Sequence, residues 1–136
     1  MPQSNLKVGH IAIAVKSLAE AEESVRRVFG MELSHEEVVP SQKVKVKFVE
    51  LGGVRFEFLE PMAPDSPISK FLDKRGSGIH HVSFEVKDLE SRLENLKKSQ
   101  TRLINEKPVP GAENAQVAFL HPQAFLGVLL EFMQKP

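Results

Sequence analysis

The sequence has no cysteine. Disulfides, thiolate metal ligands and cysteine nucleophiles are therefore excluded, and any metal must sit on histidine nitrogen and carboxylate oxygen. Tryptophan and tyrosine are also absent, which leaves stacking surfaces to the nine phenylalanines. No sign of charge is in excess: 18 Lys and Arg balance 18 Asp and Glu over 136 residues. No global field draws the chain toward nucleic acid or an anionic membrane, although a local basic patch is compatible with that balance. No apolar run approaches the roughly 20 residues that span a bilayer. The start, Met1 to Lys7, is short and polar and lacks the apolar core of a signal peptide. A cytoplasmic location is the expectation. What is present is ordinary globular material, 41% hydrophobic and 26% charged, enough for a core without cross-links.

An internal echo organises the rest. His10-Ile-Ala-Ile-Ala-Val-Lys-Ser-Leu returns as His81-Val-Ser-Phe-Glu-Val-Lys-Asp-Leu, and Gly53-Val-Arg-Phe-Glu-Phe returns as Gly127-Val-Leu-Leu-Glu-Phe. Two echoes in the same order and at nearly the same spacing indicate duplication. Each unit reads as β-α-β-β-β. Residues 8–15 alternate and are rich in Ile and Val, as a strand requires. Ser17 and Glu20 form a capping-box pattern for a helix through about Val28 that stops at Gly30. Residues 38–51 read as β-rich, Gly52-Gly53 as a hairpin turn, and residues 54–59 as the next strand. In the second unit, strands are expected at 79–86, near 102–106, at 116–120 and at 128–133, with a helix capped by Asp88 and running to about Lys98. Between the units, Ser66-Pro67 opens a short helix.

Successive side chains on a strand face opposite ways. His10, Ala12 and Ala14 share one face, against Ile11, Ile13 and Val15 on the other. Glu57 opposes Phe56 and Phe58, and Glu131 opposes Leu130 and Phe132. His81 opposes Val82. Two histidines and two glutamates thus stand at equivalent repeat positions, away from the apolar faces. A pseudo-two-fold relation between the repeats would bring His10, Glu57, His81 and Glu131 to one point as a metal site. Such a donor set suits a divalent ion with open coordination positions: Co²⁺ as first choice, with Mn²⁺, Ni²⁺, Zn²⁺ and Mg²⁺ as alternatives. The ion can polarise a carbonyl while a glutamate moves the proton on the adjacent carbon. Taken alone, a histidine opening a strand is more often structural; recurrence in register shifts the weight to the ligand reading. His80 is read as a packing neighbour of the ligand His81, and His35 as a solvent-exposed loop residue. His121, before Pro122, is either a loop anchor or a substrate contact, with the second favoured. Lys43, Lys45 and Lys47 read as a solvated strand face, with phosphates of a large anionic ligand as the rarer use.

These segments resemble the vicinal oxygen chelate (glyoxalase/bleomycin resistance/dioxygenase) superfamily and, within it, the methylmalonyl-CoA epimerase family. The similarity runs from about Val8 to Met133. It is carried by Gly9-His10-Ile11-Ala12-Ile13-Ala14-Val15, Phe29-Gly30-Met31-Glu32-Leu33, Glu57-Phe58-Leu59-Glu60-Pro61, Asp65-Ser66-Pro67-Ile68, Gly78-Ile79-His80-His81, Pro110-Gly111-Ala112 and Phe119-Leu120-His121-Pro122. The resemblance implies an α+β fold in which two duplicated βαβββ modules, 7–61 and 78–134, joined by a linker helix within 62–77, form one domain, 1–136, around a shared, cupped mixed β-sheet with flanking helices. It implies an isomerase that interconverts (R)- and (S)-methylmalonyl-CoA through a metal-stabilised enolate, with His10, Glu57, His81 and Glu131 on the metal and Glu131 catalytic. A second catalytic glutamate of some relatives falls on or near Val46, so Glu57 becomes the candidate for the second acid/base. An acyl-CoA substrate and a homodimer are also implied. Glyoxalase I is the alternative enzyme, and a non-catalytic small-molecule-binding protein is the alternative of another class.

Overall fold

A computed structural model describes residues 6–136; Met1–Asn5 of the polar start lie outside the described residues. Strands and helices are mixed along the chain, as the α+β expectation requires. Two compact units are distinguished, residues 10–80 and residues 6–9 with 81–136.

The first unit contains β1 from His10 onward (the strand is Lys7–Ala14), α1 (Leu18–Phe29), β2 (Glu37–Val39), β3 (Val44–Leu51), β4 (Val54–Pro61) and α2 (Pro67–Arg75). Its strands follow the order β2-β3-β4-β1. β3 and β4 form an antiparallel hairpin around Gly52 and Gly53, whose φ values of 60° and 82° are those a two-residue hairpin turn demands. β1 joins β4 in parallel, with Ala12 opposite Glu57. Helix α1 begins where Ser17 accepts a hydrogen bond from Glu20 N and ends at Gly30 in the left-handed region, which fits the N-cap and C-cap chemistry of those residues. Glu60 adds a tertiary anchor: its Oε1 accepts from Leu18 N at 2.8 Å. The helix packs Leu18, Ala21 and Val25 on Val15, Val49 and Phe58. One sheet face is thereby sealed, and each large apolar side chain buried there contributes about 1.5–3 kcal/mol. The opposite face carries His10, Ala12, Ala14 and Glu57.

The β-rich reading of residues 38–51 is interrupted. Pro40–Gln42 forms a 3-10 turn and Lys43 takes φ 54°. Pro40 has no N–H to offer a ladder, so β2 stops at Val39 and the chain restarts at Val44.

The second unit contains β5 from His81 (the strand is Gly78–Glu85), α3 (Leu89–Lys98), β6 (Val109–Pro110), β7 (Gln116–Leu120) and β8 (Leu130–Gln134), in the order β5-β8-β7-β6. β5 and β8 are parallel, with Ser83 opposite Glu131. β7 and β8 are antiparallel, with Phe119 opposite Glu131. Asp88 caps α3 through Ser91 N. The helix seats Leu89 and Leu93 on Ala118, Leu120, Leu130 and Phe132.

No strand forms over 102–106. Leu103 makes a single bridge to Leu120. Ile104 N and Asn105 N both donate to Phe119 O, and Asn105 Oδ1 accepts from Phe119 N at 2.8 Å. Two residues facing one is a bulge, which ends regular pairing. The edge role passes to Val109–Pro110, which pairs with β7.

Candidate metal centre

Parallel pairing of β1 with β4 sets His10 one step along the ladder from Glu57 on the same face. The imidazole Nδ1 lies 3.4 Å from Glu57 Oε2. The second unit repeats the arrangement on β5 and β8, where His81 Nε2 lies 3.8 Å from Glu131 Oε1. All four side chains are buried, with relative exposures of 5% for His10, 6% for Glu57, 3% for His81 and 3% for Glu131. The neighbours also correspond. Ala12 and Phe48 flank Glu57 on the adjoining strands, and Ser83 and Phe119 flank Glu131. Phe119 meets the His81 ring edge-on, with centroids 5.1 Å apart.

Burying a carboxylate costs several kcal/mol unless a cation and hydrogen bonds compensate. The donor set itself fits a divalent ion. Two ligand atoms that each sit about 2.1 Å from an ion at neighbouring positions are roughly 3.0–3.4 Å apart, and the His10–Glu57 separation of 3.4 Å falls there. The His81–Glu131 separation of 3.8 Å is slightly wider. Within each unit an imidazole nitrogen and a carboxylate oxygen stand close enough to share an ion. Imidazole and carboxylate are the ligands expected for Co²⁺, Mn²⁺, Ni²⁺ or Zn²⁺.

The remaining histidines divide as their surroundings dictate. His80 packs edge-on against Phe71 at 5.1 Å, and His35 is exposed. His121 caps the 3-10 turn Pro122–Phe125, its Nδ1 accepting from Gln123 N at 3.1 Å, so it has an anchoring role in its loop. In the lysine stripe, Lys43 is ion-paired with Asp65 and Lys47 with Glu22 of α1. These contacts hold both carboxyls below their ordinary range, the lysine hydrogen bond being the larger cause in each. Val46 is 5% exposed and apolar, so that position holds no proton carrier.

Sequence reading passed over Arg55. Its guanidinium lies over the Phe48 ring, 3.6 Å from the centroid, and its Nη1 is 4.0 Å from Glu57 Oε2. The signal that could have found it is its spacing: a residue two positions before Glu57 on a strand shares that residue's face.

The glyoxalase/bleomycin resistance protein/dioxygenase superfamily pattern matches residues 9–119. Among curated proteins, the chain is 38% identical over 129 residues to a mitochondrial methylmalonyl-CoA epimerase of Mus musculus, covering 94% of this chain and 72% of that one. It is 36% identical over 130 residues to an ethylmalonyl-CoA/methylmalonyl-CoA epimerase of Cereibacter sphaeroides, covering 94% and 97%. Among solved structures, the methylmalonyl-CoA epimerase of Mycobacterium tuberculosis superposes with a TM-score of 0.88 at 32% identity, covering 95% of this chain and 87% of that one. With its two histidine–glutamate pairs in equivalent registers, the chain belongs to the glyoxalase/bleomycin resistance protein/dioxygenase superfamily, among the methylmalonyl-CoA epimerases.

Proposed function

We propose that this protein is a divalent-metal isomerase that interconverts (R)- and (S)-methylmalonyl-CoA. The observation that carries the reading is the buried histidine–glutamate pair repeated on β1/β4 and on β5/β8. The names of relatives 36–38% identical to it support the substrate, and they favour it over glyoxalase I or a non-catalytic binding protein. On this proposal the whole chain, residues 1–136, works as one domain in a cytoplasmic homodimer. Among the described residues no helix is long and apolar enough to cross a membrane.

His10, Glu57, His81 and Glu131 would hold the ion, with Co²⁺ the first candidate. When bound, a divalent ion polarises a thioester carbonyl and makes the adjacent carbon acid stronger. The protein's own residues handle the proton. Glu131, whose carboxylate lies between Ser83 and Phe119 on the adjoining strands, takes the α-proton; the C–H electron pair moves into the thioester as an enolate. Glu57 returns a proton to the opposite face, re-forming the C–H bond with inverted configuration. Glu57 takes this role because Val46 cannot. Buried Ala12 and Ala14, on the face that carries His10, keep water from competing for the carbanion. His121, whose Nδ1 serves its own loop, would meet the substrate through Nε2.

The test is exchange of the α-proton of methylmalonyl-CoA with solvent deuterium, run across Co²⁺, Mn²⁺, Ni²⁺, Zn²⁺ and Mg²⁺. Exchange in metal-loaded protein is expected. Its absence with every metal refutes the reading. Lactoylglutathione formation from methylglyoxal and glutathione would move the assignment to glyoxalase I.

A further inference from the structure

Ser83 is fully buried, and its Oγ has no hydrogen-bond partner among the described residues. A hydroxyl taken out of water without a bond costs folding free energy, and proteins keep few such groups. Packing alone does not call for it. Ala12 holds the same place in the first repeat, is also fully buried, and stands opposite Glu57 in the same parallel register that sets Ser83 opposite Glu131. A methyl group therefore suffices at such a position. The repeats differ at the glutamate's parallel neighbour: Glu57 stands beside a methyl, Glu131 beside a hydroxyl.

The surroundings leave that hydroxyl few polar groups to meet. Ser83 shares its strand face with His81 and Glu85, two residues to either side. Glu85 is engaged at the surface, with Oε1 3.2 Å from Lys135 Nζ and Oε2 3.6 Å from Lys7 Nζ. Gly9 brings no side chain; a methyl built on it would lie 3.5 Å from Ser83 Oγ and 2.8 Å from Met133 Cε, so Met133 adds a methyl group to this environment. Glu131 stands one strand spacing away, about 4.8 Å, with its carboxylate on the same face. A carboxylate has about four acceptor positions on its two oxygens, so a donor at one leaves others for an ion beside His81. Carboxylates that bind metals are themselves held by hydrogen bonds, which fix the oxygen they present.

We infer that Ser83 is a positioning residue of the metal centre: its hydroxyl donates a hydrogen bond to the Glu131 carboxylate when that carboxylate binds an ion, and so fixes the oxygen turned toward His81. This rests on the proposed metal reading of the His81–Glu131 pair and deepens it, because it separates two glutamates that the duplication otherwise makes alike. The buried hydroxyl is then a cost carried in the metal-free protein and recovered on loading.

The experiment titrates chelator-treated wild type, Ser83→Ala, Glu131→Ala and the double variant with Co²⁺. Calorimetry reads affinity, and the visible absorption of the bound ion reads ligand geometry. Ser83→Ala should bind Co²⁺ about tenfold to a hundredfold more weakly than wild type, with a displaced visible band, and its metal-free Tm should not fall. With Glu131 replaced by alanine the hydroxyl has no carboxylate to hold, so adding Ser83→Ala should change affinity by less than about twofold. Equal losses in both backgrounds, or a lowered metal-free Tm, would make Ser83 a packing residue and overturn the inference. The band is read on Ser83→Ala itself, so it decides even where Glu131→Ala binds too weakly to titrate. Tight Co²⁺ binding in wild type that Ser83→Ala leaves unchanged in affinity and band would overturn the inference alone. Failure of wild type to bind Co²⁺, Mn²⁺, Ni²⁺ or Zn²⁺ would refute the metal reading and the inference together. Ser83-dependent binding without exchange of the methylmalonyl-CoA α-proton would instead refute the epimerase chemistry and leave the role of the hydroxyl standing.

Discussion

Replacing Glu131 by glutamine should move stability in opposite directions with and without metal. The side chain is 3% exposed, with its Oε1 3.8 Å from His81 Nε2. In metal-free protein that carboxylate is dehydrated and the charge of the divalent ion is missing beside it; glutamine keeps the shape and removes the negative charge. The metal-free variant should therefore be more stable than metal-free wild type, by about 1 kcal/mol or more. Metal reverses the order. An ion at about 100 times its dissociation constant adds about 2.7 kcal/mol to a protein that binds it only when folded. If losing an anionic ligand weakens binding about a hundredfold, the same ion adds only about 0.4 kcal/mol. For a chain of this length each kcal/mol shifts Tm by about 3–5 °C, so Co²⁺ should raise wild-type Tm by roughly 8–13 °C and that of Glu131→Gln by no more than about 2 °C. Differential scanning calorimetry of chelator-treated protein, with and without Co²⁺, measures both. An equal metal-induced shift in the two proteins would show that Glu131 is not a ligand.

Ser83 is fully buried and its Oγ has no hydrogen-bond partner among the described residues, while Ala12 holds the corresponding place opposite Glu57. In metal-free protein Ser83→Ala should thus leave stability within about 1 kcal/mol of wild type or raise it; a denaturation loss above about 2 kcal/mol would mean that the hydroxyl is bonded in solution. A methyl group added at Gly111 would lie 2.7 Å from Val117 Cγ1, and the β-branched strand residue cannot move aside. Gly111→Ala should cost about 1–3 kcal/mol, with most of the loss recovered when Val117→Ala is added; urea melts of the single and double variants decide it. Glu22 titrates below its ordinary value of 4.5 because Lys47 bonds and attracts its carboxylate. A carboxyl lowered on folding stabilises above its unfolded pKa, and that contribution disappears as pH falls through the folded one. Glu22→Gln should therefore flatten the fall of Tm below about pH 4.5, and an unchanged acid limb would count against the Lys47 pair.

The sequence by itself determined what depends on local chemistry and on strand period. Ser17 and Gly30 bounded α1, and Asp88 opened α3, because capping is settled within a few residues. The alternation of apolar and polar residues put His10, Glu57, His81 and Glu131 on non-core faces, and the repeat fixed which histidine of the His80–His81 pair was meant, since a one-residue slip would turn it to the other face. Tertiary structure decided everything that required a partner from another strand. The 102–106 segment has strand composition, yet Ile104 and Asn105 share one carbonyl of Phe119, and the edge forms at Val109–Pro110 instead. The lysine stripe looked uniform until Asp65 and Glu22 claimed two of its three members. Arg55 stands opposite Glu50 on the ladder, yet its guanidinium lies on Phe48 with Nη1 4.0 Å from Glu57 Oε2. Periodicity fixes which face a side chain leaves from, whereas its direction across that face is set by competing neighbours brought in from elsewhere in the chain.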